Sequence, residues 1–380
     1  MAQSKRNAGI DFWKFIAAIY IVVLHSYTFF GKEKIVLPYG YLAVEFFFIV
    51  SGYFFANSVF RDEREYNSHT IGPETWDFIW HKIKGFLYYW SFGFLLTFIM
   101  RLIQKPEFIS VAHLPSVIFD FLLLRESGIP VTDIYGADWY LSSMIIVLFV
   151  IYPFFRKNKN TFAFIASPII TVFGIGFLYF KTGKLNGGAA TFSGITTYNN
   201  IRAAAEICLG ITAYIFSNKI KEKTSLLTDK ARILLTVLEN LLVIGGFLMI
   251  VVLKNSKSMP FVLLLFAAYI ALATSQTTYS NKIYPQKISV FLGKLSVTIY
   301  VTHTCIRYLF SYLQDKYAYF NNLFLNHSKL HLLKILSVYV VLCILLGIVC
   351  LVVCDKIKLL IENKKNKQNN KNEEKEKALV

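Results

Sequence analysis

Apolar residues run through this chain in blocks too long for the core of a water-soluble domain. The blocks lie near 10–30, 39–58, 79–103, 139–155, 162–180, 200–217, 232–253, 260–275, 288–313 and 331–354. At about 1.5 Å per residue, some 20 residues of helix cover the roughly 30 Å of hydrocarbon in a bilayer. The pattern therefore predicts an all-α fold, a polytopic transmembrane helical bundle of about ten spans. An eleventh apolar piece, 114–124, is too short to cross unaided and reads as interfacial or re-entrant.

Polar positions inside these blocks carry the next level of information. The first span, GIDFWKFIAAIYIVVLHSYTFF from Gly9 to Phe30, contains Asp11, Lys14 and His25. Lys14 and His25 are eleven residues apart, about three helical turns, so both point the same way with a rise of about 16 Å between them. A cation and an imidazole on one stripe of a spanning helix suggest a lined cavity. The plainer alternative is that Lys14 snorkels to headgroups and His25 bonds a neighbouring helix.

Composition agrees with the pattern: the 380 residues are 55% hydrophobic, with 35 Phe and 23 Tyr. The first apolar run exceeds the length of a signal-peptide core and has no small-residue cleavage site after it, so it reads as a span. The net charge of +17 does not form a basic domain, which argues against nucleic acid as a partner. Clusters at Arg61/Arg64/Lys82/Lys84, Arg156/Lys157/Lys159, Lys219/Lys221/Lys223/Lys230/Arg232 and Lys282/Lys287 fall on one side with Lys5, Arg6 and the tail if 114–124 does not span. Lys32 and Lys34 belong to the sparser opposite side. The positive-inside rule then predicts a multi-pass cell-membrane protein with both termini cytoplasmic, and the Lys- and Asn-rich tail hints at an AT-rich bacterial genome. The domain division expected is 1–355 for the transmembrane unit and 356–380 for a lysine-rich, disordered cytoplasmic tail able to touch anionic membrane lipid. The five cysteines show no metal-type spacing and read as packing residues, so no metal site is expected.

Further polar residues recur inside the spans. Glu45 lies in AVEFFFIVSGYF, where its plainer role is to pair with a cation such as Lys14 or Arg202. His81, Lys82 and Lys84 stand at the predicted cytoplasmic mouth of the third span, able to bind phosphates or to act as ordinary anchors. Trp139, after Asp138, opens the next span as an interface aromatic. Arg202 and Glu206 form an i,i+4 pair, and His303 lies one turn before Arg307 in LGKLSVTIYVTHTCIRYLF.

Taken in order, these blocks resemble the membrane acyltransferase-3 family, whose first helix carries a basic residue, ten residues and then histidine, as Lys14 and His25 do. Ile10-Asp11, AVEFFFIVSGYF with Glu45 at the acidic position, HKIKGFLYYW, DWYLSSMIIVLFVIYP and LGKLSVTIYVTH are similar to further family blocks. Five weak blocks in one order make a specific signature. Two positions depart from it: Lys14 stands where arginine is usual, and Tyr88 where the third helix often has proline. Arginine would offer a planar two-pronged clamp that lysine does not.

The resemblance implies an O-acyltransferase using acyl-CoA, usually acetyl-CoA, as co-substrate without a bound cofactor, and a cell-surface or exported carbohydrate or glycolipid acceptor. On that basis Lys14, Lys82 and Lys84 hold the CoA phosphates and His25 acts as general base or acyl-accepting nucleophile. Glu45 orients His25 or balances charge, and His303 binds the acceptor or stabilises developing negative charge. Asp11, Arg202, Glu206, Arg307 and Trp139 complete the polar interior. Larger relatives append a hydrolase-like domain; without one, this chain is expected to acylate its acceptor directly or to pass the acyl group to a polysaccharide-assembly partner. The competing readings are a transporter or flippase of a lipid-linked or polar solute, which the absence of an internal repeat opposes, and an integral scaffold.

Overall fold

The computed structural model describes residues 6–30, 36–106, 113–129, 131, 134–188, 190–223, 227–325 and 328–378. Lys5, Lys32 and Lys34 lie outside them. The long helices are α1 (Ala8–His25), α2 (Ala43–Arg61), α3 (Ile71–Gln104), the short α4 (Leu114–Phe121), α5 (Trp139–Lys157), α6 (Ser167–Thr182), α7 (Tyr198–Glu222), α8 (Asp229–Val252), α9 (Met259–Thr274), α10 (Gln286–Lys316) and α11 (Lys329–Ala378). A single π-helical turn, Phe162–Ala166, leads directly into α6.

Among the described residues, nine helices are long and apolar enough to cross a membrane. The tenth expected span corresponds to α7, which has 25 residues but carries Arg202 and Glu206, so its mean hydropathy is low. Its polar groups are paired inside the bundle, which is how a helix of this composition sits in an apolar surrounding. α4, with 8 residues, cannot span. The protein is thus a polytopic helical bundle. The small exception to helix is a hairpin in which Thr191–Phe192 pairs antiparallel with Thr196–Thr197. Ser193 and Gly194 both take positive φ at its tip, the geometry of a type I′ turn.

The stretch 356–380, expected to be disordered, instead continues α11 as helix to Ala378. It contains neither proline nor glycine, and a preformed spanning helix removes the nucleation cost that would keep such a polar segment from coiling on its own. α3 likewise runs unbroken through Tyr88.

Large apolar side chains on the outside, such as Phe149 and Phe154 on α5, Val172 and Phe173 on α6 and Leu241 and Leu248 on α8, are exposed, whereas Glu45, Arg202, Glu206 and His303 are buried. This reversal of the usual water-soluble arrangement is what a lipid solvent requires. Packing is closest where glycine removes the side chain. A Cβ on Gly52 of α2 would lie 2.0 Å from the Ile207 carbonyl oxygen of α7, and one on Gly210 of α7 would lie 2.1 Å from that of Ile49. α2 and α7 therefore meet backbone to backbone, as small-residue helix contacts in membranes do. Gly93 gives α3 the same access to α10 at Val301. α10 is the hub, in contact with α1, α3 and α11. Four cysteines, Cys208, Cys343, Cys350 and Cys354, are buried and Cys305 is half-buried, all as free thiols.

Candidate active site

α1 and α10 run side by side, and their polar residues divide between two ends of the bundle. At one end, the Asn7 side chain caps α1 by accepting from the Ile10 N–H at 3.0 Å. Asp11 in the first turn then gathers Arg6 at 2.8 Å and Lys14 at 3.7 Å. The Asp11 carboxylate rests against Gly293 of α10, where a Cβ would stand 2.5 Å from Oδ1. Lys14 also lies 5.7 Å from the centre of the Phe54 ring.

Lys14 and Lys82 line an apolar cavity of about 310 Å³ between α1, α2, α3, α5 and α10. Phe47, Phe54 and Phe86 form its walls, and Ser51, Tyr140 and Tyr300 line it as well. A wider vestibule shares Lys14, Phe86 and Val297 with it and adds Arg6, Lys294 and Lys358 against Asp355 and Glu362, with Lys294 3.2 Å from Asp355. The structure does not bring Lys84 there: that side chain is exposed, with its ammonium 5.2 Å from the Trp80 ring. On a helix, residues two apart face different ways, and α3 turns Lys82 inward and Lys84 outward.

At the other end of α1, His25 meets His303 of α10. Their rings are inclined by 29°, 5.0 Å between centres, with His25 Nδ1 and His303 Nε2 3.1 Å apart. His303 Nδ1 is 2.7 Å from the Tyr300 carbonyl oxygen. A carbonyl only accepts, so in the neutral pair Nδ1 of His303 carries the hydrogen and its Nε2 has the lone pair. His25 must then donate through Nδ1, which places its lone pair on Nε2. Tyr300 is itself positioned: its hydroxyl donates to the Ala137 carbonyl, and its own carbonyl accepts from the Tyr135 hydroxyl at 2.8 Å. Arg307, one turn beyond His303, is buried, with one Nη at 3.5 Å from the Tyr135 carbonyl.

Glu45 does not reach His25. Both of its oxygens accept from Arg202, one of them from Nε at 3.1 Å, and Arg202 Nε also lies 3.3 Å from Glu206. The guanidinium sits 5.0 Å from the Trp139 ring centre and 5.6 Å from that of Tyr41. Glu45, Arg202, Glu206 and Trp139 are thus one cluster tying α2, α5 and α7 together, separate from the histidine pair.

A third cluster was not legible from spacing. Asp120 and Asp138, both fully buried, flank Arg125, whose Nε stands 2.7 Å from Asp138 and Nη2 3.7 Å from Asp120. Burial, aided for Asp138 by the neighbouring Asp120 carboxylate, pushes both carboxyls up, while Arg125 pulls the other way. Next to them Glu126 accepts from the Asn199 side chain at 3.0 Å, and its backbone N–H donates to the Ser142 hydroxyl at 3.0 Å. Burial raises the Glu126 carboxyl too. This network fastens the segment around α4 onto α5 and α7. Its members come from four places in the chain; the one signal for it in the sequence is the run of acids and an arginine in an otherwise apolar stretch.

A family model described as an acyltransferase domain, acyltransferase-3, matches residues 7–354. The chain belongs to the acyltransferase-3 family. It is accordingly a membrane acyltransferase of the O-acyltransferase kind. No curated protein and no solved structure gives a match. The family match begins at the cap of α1 and ends within α11, so it takes in Lys14, Lys82, His25 and His303.

Proposed function

We propose that this acyltransferase moves an acyl group, acetyl in the first instance, from cytoplasmic acyl-CoA to a hydroxyl of a cell-surface or exported carbohydrate. The observation that carries the reading is the His25–His303 pair, whose hydrogen-bond directions place the His25 lone pair on Nε2. Lys14 and Lys82 supply cations at the opposite end of the same two-helix frame, suited to an anionic donor. Arg6, Lys294 and Lys358 in the vestibule fit the remaining phosphates better than the exposed Lys84. The apolar cavity suits a flexible arm ending in a thioester. Tyr300, which lines that cavity and accepts from His303 through its carbonyl, connects the two ends.

Two routes use the same lone pair. In the first, His25 Nε2 takes the proton of the acceptor hydroxyl as its oxygen attacks the thioester carbonyl, and returns it to the departing CoA sulfur as the C–S bond breaks. In the second, Nε2 attacks the carbonyl and holds the acyl group. The CoA thiolate leaves, and the acceptor oxygen then attacks the acyl carbon and displaces the neutral imidazole, while the hydroxyl proton passes to the CoA thiolate to give the free thiol. In both, His303 holds the ring of His25 in place through Nδ1. Glu45 serves Arg202 and the packing of α2 on α7.

Purified protein in nanodiscs with acetyl-labelled acetyl-CoA tests this reading. Wild type should release CoA and label carbohydrate from the producing cell, and His25→Ala should do neither above background. Unchanged CoA release by a well-folded His25→Ala variant would remove His25 from the chemistry.

A further inference from the structure

Besides Lys14 and Lys82, four hydroxyl side chains line the apolar cavity, those of Ser51, Tyr140, Ser296 and Tyr300. A hydroxyl has one hydrogen to give, so what each can offer a guest depends on where that hydrogen already goes. Ser296 donates to the Gly293 carbonyl at 2.9 Å, and Tyr300 donates to the Ala137 carbonyl. Both hydrogens are engaged by strong acceptors.

Ser51 and Tyr140 differ. Their oxygens lie 3.4 Å apart, long for a hydroxyl pair, whose ordinary separation is about 2.7–2.8 Å. Among the described residues the other acceptor for both is the Met144 thioether, 3.5 Å from Ser51 Oγ and 3.6 Å from Tyr140 Oη. Thioether sulfur accepts only weakly. Two hydroxyl hydrogens are thus poorly used in an apolar wall, the setting in which a well-aimed acceptor gains most.

Their depth says which acceptor. The Lys14 ammonium stands 5.7 Å from the Phe54 ring, and Ser51 precedes Phe54 by three residues on α2, a rise of about 4.5 Å. His25 lies about 16 Å from Lys14 along α1. The hydroxyl pair is therefore near the cationic end and well short of the histidines. A donor with its phosphates at the lysines and its thioester at His25 would bring the middle of its arm to Ser51 and Tyr140. In CoA the middle of the arm carries amides, and an amide carbonyl is a strong acceptor.

We propose that the Ser51 and Tyr140 hydroxyls form a subsite for an amide carbonyl of the donor's arm, donating to its oxygen in place of the Met144 sulfur. The inference rests on the acyl-CoA reading and adds where the arm is gripped. Phe47, Phe54 and Phe86 would cover the methylenes around that amide. The subsite favours a carrier with an amide at this depth over an alkyl chain of equal length.

The test titrates the full chain in nanodiscs by calorimetry with two probes, CoA and adenosine 3′,5′-bisphosphate, which lacks the arm. Wild type is expected to bind CoA more tightly than the bisphosphate. Tyr140→Phe and Ser51→Ala should each weaken CoA about three- to tenfold, the size of one neutral hydrogen bond, and leave the bisphosphate unchanged. Unchanged bisphosphate binding also reports an intact fold. Wild-type CoA affinity in both variants would overturn the subsite and leave the donor reading standing. An equal loss for both probes would do the same, because it would mark the two residues as structural. Wild-type protein that bound CoA no more tightly than the bisphosphate would place the arm outside the cavity and also overturn the subsite. Binding of neither probe by wild type would remove the donor reading and the subsite with it.

Discussion

Glu45 on α2 engages Arg202 on α7 through both of its carboxylate oxygens, 157 positions apart in the chain. Gly52 and Gly210, where the two helix backbones touch, lie about two turns further along the same helices, so electrostatics and close packing lock the same interface. Removing one member of a buried ion pair costs up to about 3–5 kcal/mol, and less here because Arg202 keeps Glu206 at 3.3 Å. Glu45→Ala is therefore expected to lower the melting temperature of the purified protein by several degrees. Glu45→Gln, Arg202→Met and Glu206→Gln combined, which leave no buried charge unpaired, should recover part of the loss. Melting curves of the two variants in one detergent check this, and an unshifted Glu45→Ala would contradict it.

The glycine contact can be probed directly. A valine at position 52 would drive its Cβ into the Ile207 carbonyl, 2.0 Å away, with backbone rather than a flexible side chain as the obstacle. Gly52→Val should abolish the monodisperse peak in size-exclusion chromatography, whereas Gly85→Val, where a Cβ meets nothing within 4 Å, should leave it intact.

The histidine pair makes an asymmetric prediction. His25→Ala should remove acyl transfer altogether, and His303→Ala should lower it by about 10²–10⁴-fold, since His25 keeps its lone pair but loses the partner that sets its orientation. Single-turnover rates measured at saturating acetyl-CoA distinguish the two. Equal residual activity in both variants would show that the rings act interchangeably.

Donor binding should follow the cavity lining. Lys14→Ala and Lys82→Ala are each expected to raise KM for acetyl-CoA by about tenfold, the size of a lost charge-assisted phosphate contact, and more so at low salt. Lys84→Ala should leave KM unchanged, because its ammonium faces outward over Trp80. Steady-state kinetics at two ionic strengths decide the matter.

The acidic cluster around Arg125 implies a pH dependence of stability with a definite sign. Asp120 and Asp138 are raised in the folded protein by burial, so the folded state holds more protons than the unfolded one above the ordinary carboxylate range. Their contribution to stability is therefore present at low pH and falls as pH climbs from about 4 towards neutrality. Asp62 behaves oppositely: its bonds to Arg64 hold it at about 2, so its stabilisation is present above the usual value and lost on acidification. Subtracting the melting temperature of Asp120→Asn from that of wild type should give a difference that declines with rising pH. The same difference for Asp62→Asn should be small and rise with pH, small because solvent screens that exposed pair.

Much of the architecture follows from the chain alone. Ten apolar blocks, and the shortness of 114–124, determined the spanning helices and the bundle class, because a bilayer demands one continuous apolar helix per crossing. The spacing of Lys14 and His25 likewise determined that a cation and an imidazole share one face of α1. The tertiary structure alone decided the partners of the polar residues. Glu45 went to Arg202 rather than to His25, His25 met a second histidine 278 positions away, Lys84 turned from the cavity, and Asp120, Arg125 and Asp138 closed into a cluster. Helical periodicity states which way a residue points on its own helix. Which helix it faces depends on the close approaches that glycines such as Gly52, Gly93 and Gly210 permit, and those are properties of pairs of helices rather than of any one segment.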